Sequence, residues 1–145
     1  MKTHNLILGR VRQGLGGTLT LPQFDVMAQL ARAPEGLTFS ELSRRLLVSA
    51  GNLTVIVSRL ETGGLVLREV VERDRRSFLL TLTAAGRRRM ATLAPRHRRD
   101  LEKIFSPVPA STQDALRTLL ARAAGQLERN NGIVASKPGR RPGGR

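Results

Sequence analysis

Apolar residues recur at helical spacing early in the chain. Thr20-Leu21-Pro22-Gln23 forms a capping box, because a glutamine stands three residues after the capping threonine. Phe24, Met27, Ala28 and Ala31 then fall on one helical face, and the segment "APEG" (33–36) ends the pattern. This pattern predicts an amphipathic helix.

Two further helices are predicted next to each other. A second capping box, Thr38-Phe39-Ser40-Glu41, opens a short helix, and Ser49 caps another helix over about 50–62. The inward positions of the latter follow the i, i+3, i+4, i+7 pattern and are Leu53, Ile56, Val57 and Leu60. Joined by "LVS" (47–49), the two helices predict a helix-turn-helix unit.

The periodicity changes after Gly63 and Gly64, which are typical of residues just past a helix end. Residues 65–71 and 77–83 are rich in Val, Leu, Phe and Thr, with apolar residues alternating in the second segment. We expect two strands with "ERDRR" at the tip of the hairpin. A helix-turn-helix followed by such a hairpin is a winged helix, so the expected fold class is mainly α with a small β-hairpin (α+β).

Helical periodicity returns at Thr83 and continues to about residue 105, with Pro95 expected to kink the helix. Its predicted inward residues are Met90, Ala94, His97, Leu101 and Ile104. A last helix over about 111–129 carries an apolar stripe of Leu116, Leu119, Leu120, Ala123 and Leu127. A short helix is expected over Asn5 to Gln13, and the Gly/Pro/Arg-rich tail 131–145 is expected to be disordered.

Charge indicates the class of partner. Lys and Arg total 25 against 11 Asp and Glu, which gives a net charge of +14. So basic a chain favours a polyanion, either nucleic acid or an anionic membrane face. The aromatic share is only 3%, whereas proteins that bind single strands stack bases on aromatic side chains. Duplex DNA is therefore the expected partner, and no membrane association is expected.

The outward face of helix 50–62 carries small side chains, as entry into the major groove requires. Asn52 can bond an adenine edge, Thr54 and Ser58 can reach bases or phosphates, and Val55 can pack on a thymine methyl. The alternative is an ordinary exposed helix face, but such faces are usually rich in Glu and Lys. The full set of candidate contacts on this helix is Ser49, Gly51, Asn52, Thr54, Val55, Ser58 and Arg59.

The residue inventory argues against an enzyme. His4 and His97 are isolated, cysteine is absent, and no Gly-rich phosphate loop follows a strand. His97 has no second ligand at metal-binding spacing, so neither a metal nor a cofactor is expected. Without a membrane span or a secretory signal at the start, the expected location is the cytoplasm, on the nucleoid.

The stretch 19–88 resembles the MarR family of winged-helix transcription regulators. "SRLETGGLV" (58–66), "DRRS" (74–77) and "LTAAG" (82–86) carry the resemblance by their order and spacing. It implies a homodimer, with 1–18 and 104–130 as a helical dimerisation region and 19–103 as the DNA-binding domain. It also implies a repressor that reads a pseudo-palindromic operator and is released by a small aromatic or anionic effector.

The resemblance also assigns roles in the wing. Asp74 is expected to brace the loop and Arg76 to enter the minor groove, with Arg73 and Arg75 facing phosphates. Arg87 and Arg88 are candidates for phosphate contacts flanking the operator, the alternative being a solvated helix face.

The chain departs from the family in two places. The family often has a basic residue where Val55 stands, and the helix before Thr20 is short. Either dimerisation relies more on helices 83–105 and 111–129, or the natural chain begins earlier. Two rival functions remain: a DNA-binding regulator with no ligand response, and a nucleoid-type or RNA-associated protein that binds through charge alone.

Overall fold

The computed structural model describes residues 2–71 and 74–130, with the side chains of 71–77 and 128–130 left outside that description. The described chain is mainly helical with one small antiparallel sheet, which confirms the predicted fold class. Its elements are α1 (Lys2–Gly14), α2 (Leu21–Ala31), β1 (Leu37–Thr38), α3 (Phe39–Leu46), α4 (Ala50–Thr62), β2 (Val66–Val71), β3 (Asp74–Leu82), α5 (Ala84–Phe105) and α6 (Ala110–Asn130).

Both predicted capping boxes are present. The amide of Gln23 donates to Thr20 Oγ1 at 3.4 Å, and Gln23 Oε1 accepts from the Thr20 amide at 2.9 Å. In the second box the corresponding distances between Thr38 and Glu41 are 3.3 and 2.8 Å. Each pair satisfies two groups that a helix start otherwise leaves unpaired, so α2 and α3 begin where the sequence predicts.

The sheet differs from the predicted hairpin in two respects. A two-residue strand, β1, pairs with β3 opposite Leu79 and Leu80, so the strand order is β1-β3-β2. In addition, β3 begins at Asp74 rather than at residue 77. Strand β1 was not predicted because a two-residue segment is too short to show the alternation of apolar and polar residues. Its extended conformation comes from pairing with a strand some forty residues away.

The core lies among α2, α3, α4, the sheet and the start of α5. Its largest fully buried side chains are Leu15, Met27, Leu30, Leu37, Leu42, Leu53, Leu60, Leu80, Val26 and Val57. On α5 the buried residues are Gly86, Met90 and Leu93, whereas Ala94 is exposed. The predicted inward position of Ala94 was therefore wrong. Both Leu93 and Ala94 neighbour Met90 on the helix, and the way α5 packs on the core turns Leu93 inward, where this larger apolar side chain buries more surface.

The chain divides into two compact units, Met1–Ile104 and Phe105–Arg145. The second unit contains α6, which begins one residue before the predicted start at Ser111. None of the residues of α6 whose side chains are described is buried, and Leu116, Leu119, Leu120 and Leu127 are 45% to 62% exposed. The tail 131–145 lies outside the described residues. The described helices include none that is long and apolar enough to cross a membrane.

Candidate nucleic-acid interface

Helix α4 presents the predicted set of small side chains to solvent. Its inward residues Leu53, Val57 and Leu60 are buried, which fixes the rotation of the helix about its axis. The predicted contact residues are all exposed: Ser49, Gly51, Asn52, Thr54, Val55, Ser58 and Arg59. They form one continuous surface along α4.

The start of α4 is held by Ser49, whose Oγ accepts from the Asn52 amide at 3.4 Å. One turn later the Thr54 hydroxyl donates to the Ala50 carbonyl at 2.9 Å. While that bond uses the hydroxyl hydrogen, the Thr54 oxygen faces solvent as an acceptor. An acceptor selects for exocyclic amino groups, which lie on adenine and cytosine in the major groove.

The turn between α3 and α4 is fixed by local bonds. Ser43 Oγ donates to the Val48 carbonyl at 2.6 Å, and the Val48 amide donates to the Ser43 carbonyl at 3.2 Å. Leu47 adopts a left-handed conformation with φ of 53°, which lets the chain reverse between the two helices. These bonds orient α4 relative to α3.

The wing strands pair next to α4. Arg73 lies outside the described residues, and so do the side chains of Asp74, Arg75 and Arg76. Their predicted roles in the wing therefore stay predictions.

Arg68 on β2 is a residue that the sequence reasoning did not select. Its guanidinium donates to both carboxylate oxygens of Glu61 on α4, through Nε at 3.1 Å and Nη2 at 2.9 Å. It also lies 5.2 Å from the ring centroids of both Phe39 and Phe78. The sequence carried one signal for this residue. Side chains alternate between the two faces of a strand, and Arg68 lies two residues after the buried Val66, so both point to the inner face.

Arg87 and Arg88, the predicted phosphate contacts, lie in different surroundings. Arg87 Nη1 donates to the carbonyl of Leu82 at 2.7 Å and lines a cavity of about 370 Å³. The other lining residues of that cavity are Leu30, Ala31, Pro34, Leu82, Met90, Ala91 and Ala94. Arg88, which is exposed like Arg87, lies beside a more open depression, where Arg89 donates to Thr18 Oγ1.

Two carboxyl groups have shifted pKa values. The pKa of Glu41 is lowered mainly by the bond from the Thr38 amide, with Arg45 and Arg44 adding to the effect. The pKa of Asp25 on α2 is raised by partial burial, and the nearby His97 opposes that shift. His97 itself packs against Phe24 with ring centroids 4.6 Å apart. Within the described residues, no three acidic or histidine side chains cluster as a metal site requires.

Comparison with known proteins decides the family. The sequence profile of the MarR family matches residues 18–77. The HTH-type transcriptional regulator PecS of Dickeya dadantii is 32% identical over 114 residues, which cover 77% of this chain and 69% of PecS. The chain belongs to the MarR family. Its relatives are transcriptional regulators and not enzymes, in agreement with the sequence prediction.

Solved structures of MarR-type regulators share this fold. The PcaV regulator of Streptomyces coelicolor, in complex with its natural ligand, is 30% identical with a TM-score of 0.68, covering 74% of this chain and 75% of PcaV. The repressor CouR of Rhodococcus jostii, bound to a 23-mer DNA duplex, is 28% identical with a TM-score of 0.77, covering 85% of this chain and 88% of CouR. This MarR-family chain spans between 45% and 69% of the length of the curated relatives that it matches.

Proposed function

We propose that this MarR-family chain is a homodimeric repressor that binds a pseudo-palindromic operator in duplex DNA and is released by a small, largely apolar anion. The observation that carries the proposal is the exposed face of α4, which combines small polar side chains with a rotation fixed by three buried residues. The similarity to CouR, which is bound to duplex DNA, supports it. Such a protein acts in the cytoplasm, on the nucleoid.

In this proposal α4 lies in the major groove with its first turn toward the bases. Asn52 and Ser58 supply donors and acceptors, Val55 meets a thymine methyl, and Arg59 reaches a phosphate. In the wing, Arg76 enters the minor groove, Asp74 braces the loop, and Arg73 and Arg75 face phosphates. Two copies related by a two-fold axis place two α4 helices about one turn of DNA apart.

The dimer rests on the leucine stripe of α6. Four leucines on one face of a 21-residue helix are each 45% to 62% exposed in the single chain. An isolated helix of this kind is stabilised mainly by packing of its apolar face. A second copy supplies an equivalent face, as two-fold symmetric interfaces require.

The effector site of this proposal is the cavity between α2 and α5. Its volume of about 370 Å³ suits a small organic molecule, and its lining is apolar apart from the guanidinium of Arg87. A carboxylate in this cavity competes with the Leu82 carbonyl for Arg87, and Leu82 is the last residue of β3. Ligand binding can therefore shift the end of a wing strand. The structure of PcaV with its natural ligand supports a ligand response.

A footprint on the DNA upstream of the protein's own gene tests operator binding. We expect a protected palindrome, with affinity for it at least about 10³-fold above that for unrelated duplex. The strong positive charge favours a second function, that of a nucleoid-type protein binding through charge alone. Equal affinity for all duplexes, together with a steep salt dependence, would establish that second function instead.

Release is tested with benzoate as a probe, using fluorescence anisotropy of labelled operator DNA. Benzoate is expected to weaken DNA binding by the wild-type protein and to have less effect on Arg87→Gln, which lacks the cation. If millimolar benzoate and a panel of related aromatic carboxylates neither bind the protein nor release the DNA, the chain is a regulator without an anionic effector in this cavity.

A further inference from the structure

Arg68 occupies a position on the inner face of the sheet where an apolar residue is expected. In the β2–β3 pairing, Val66 stands opposite Leu82, Arg68 opposite Leu80, and Val70 opposite Phe78. Opposite residues of an antiparallel pair point to the same side, so these six form one face. Val66, Leu80 and Leu82 are buried, and Arg68 is the one charged residue in this face.

The guanidinium of Arg68 joins three elements. Its two bonds to Glu61 reach the last turn of α4. The ring of Phe39, at the first residue of α3, and the ring of Phe78, on β3, each lie with their centroid 5.2 Å from the central carbon of Arg68. A planar cation can satisfy two parallel hydrogen bonds at its edge and contact rings at its faces, which a lysine ammonium cannot do.

The surroundings of this ion pair differ from those of the exposed pairs in the same chain. The side chains of Arg68 and Glu61 are each 29% exposed, whereas those of Arg98 and Glu102 are 81% and 59% exposed. Exposed pairs at helical spacing contribute little and leave both side chains free to rotate. The bidentate, half-buried pair between β2 and α4 instead constrains both the distance and the direction between the two elements.

We infer that Arg68 is a positioning residue that fixes the angle between helix α4 and the wing strands β2 and β3. This inference rests on the proposed function, in which α4 reads the major groove while the wing reaches the adjacent minor groove. The two grooves are a fixed distance apart on a given operator, so the angle decides whether both contacts form on the same site. Arg68 therefore sets sequence discrimination while it touches no DNA.

The experiment compares Arg68→Lys with the wild-type protein on operator and on unrelated duplex at one salt concentration. Lysine keeps the charge and the reach toward Glu61 but loses the bidentate bond and the flat faces. We expect operator affinity to fall on the order of tenfold, with affinity for unrelated duplex changed less than about twofold, because charge governs the latter. Hydroxyl-radical protection should weaken at the wing contacts more than at the centre of each half-site.

Three further variants separate positioning from simple stability. Glu61→Gln keeps the side-chain shape and weakens the pair, so it should reproduce the selective loss in smaller measure. Arg98→Lys alters the exposed pair on α5 and should leave both affinities unchanged. In a double-mutant cycle, Arg68→Lys and Phe78→Leu should show coupling in operator affinity, since both remove parts of one contact.

The possible failures can be told apart. If the wild-type protein does not prefer its operator, the proposed function fails. If it does, and Arg68→Lys loses affinity equally for operator and unrelated duplex or loses none, the positioning role is wrong. Thermal melts of every variant show whether a loss follows from unfolding, and a loss that tracks melting temperature across all variants would also overturn the inference.

Discussion

Helices α4 and α6 both turn a face to solvent, and the two faces are made of different side chains. On α4 the exposed residues are mostly polar and, apart from Arg59, small, with Val55 as the largest apolar one at 53% exposure. On α6 the exposed face carries four leucines. Exposure alone is therefore a poor guide to function, and side-chain type supports the partner proposed for each face: polar base edges for α4 and a second apolar face for α6.

The helices also differ in what holds them. Helix α4 buries Leu53, Val57 and Leu60 within its own unit, so its outer face can vary without loss of the helix. Helix α6 has no buried side chain among those described, so its leucines are the surface from which it can gain stability. A charge placed on the α6 face should therefore disrupt the dimer, whereas a charge on the α4 face should weaken operator binding and leave the dimer intact.

The largest effect is expected from Leu119→Glu combined with Leu120→Glu. Burial of one leucine is worth roughly 1.5–3 kcal/mol, and the change affects both copies in the interface. We expect the dissociation constant of the dimer to rise by more than about 10³-fold, and operator binding to fail because two half-sites are no longer bound together. Analytical ultracentrifugation measures the first quantity.

Thr118→Glu is the matched control, because it adds a carboxylate on the side of α6 opposite the leucines. The control should remain dimeric. If the double leucine variant also remains dimeric at micromolar concentration, the α6 face has another purpose.

The second effect concerns α4, where Ser58→Glu places a carboxylate on the proposed groove face. Repulsion from phosphates and bases should lower operator affinity on the order of 100-fold, whereas the dimer should stay intact. Ser58→Ala, which removes the hydroxyl without adding charge, should cost tenfold or less. A Ser58→Glu protein that binds its operator normally would place the DNA elsewhere and remove the contrast between the two faces.

A third, smaller effect concerns the contact between α5 and the backbone just before β2. A Cβ on Gly86 would press on the backbone carbonyl oxygen of Leu65, which cannot move aside as a flexible side chain could. Gly86→Ala should lower the free energy of unfolding by about 1–3 kcal/mol, measured by urea denaturation. A Cβ on Gly51 would meet open space, so Gly51→Ala should not destabilise the fold. Equal stability of Gly86→Ala and wild type would contradict the close packing of α5 on the start of β2.

The smallest effect is a pH dependence from Glu41, which lies on neither face. Its folded pKa is below the unfolded value, so the stability it contributes is present at neutral pH and is lost as the pH falls through the lowered pKa. The raised pKa of Asp25 acts in the opposite direction, because the folded state holds that proton more tightly. The difference between wild type and Glu41→Gln removes the Asp25 contribution.

We expect Glu41→Gln to be less stable than wild type by about 0.5–1 kcal/mol at pH 7, with this difference disappearing as the pH falls through the lowered pKa of Glu41. Urea denaturation at neutral and at acidic pH measures this difference in the free energy of unfolding. A gap that stays constant with pH would mean that the carboxylate charge contributes nothing. Dimerisation and operator affinity at neutral pH should not change.

Local signals in the sequence were sufficient for much of this fold. Thr20, Thr38 and Ser49 cap their helices as predicted, because a cap depends on bonds within four residues. The set of exposed residues on α4 also followed from the sequence. Four apolar residues that point inward fix the rotation of the helix about its axis, and this determines which residues point outward. Operator binding by that face and the dimer role of α6 stay predictions.

Features that depend on distant partners were not predicted. Strand β1 exists through its pairing with β3, and the choice of Leu93 over Ala94 depends on what α5 packs against. Arg87 was predicted to contact phosphates because it lies just after the second wing strand, and that role stays a prediction; the bond from its guanidinium to the Leu82 carbonyl at a cavity wall was not predicted. The contact between Arg68 and two phenylalanines joins residues 39, 68 and 78, whose meeting the spacing alone does not reveal.

The strand order β1-β3-β2 has a consequence for self-association. Among the described residues β2 pairs only with β3, so it forms one edge of the sheet. Leu67 and Val70 are exposed on this strand, and such an edge is a template to which a strand of another molecule can add. Glu69 puts a charge between them, which discourages a second copy from pairing in register. The strand that holds Arg68 is thus also the one whose charge pattern bears on aggregation at high protein concentration.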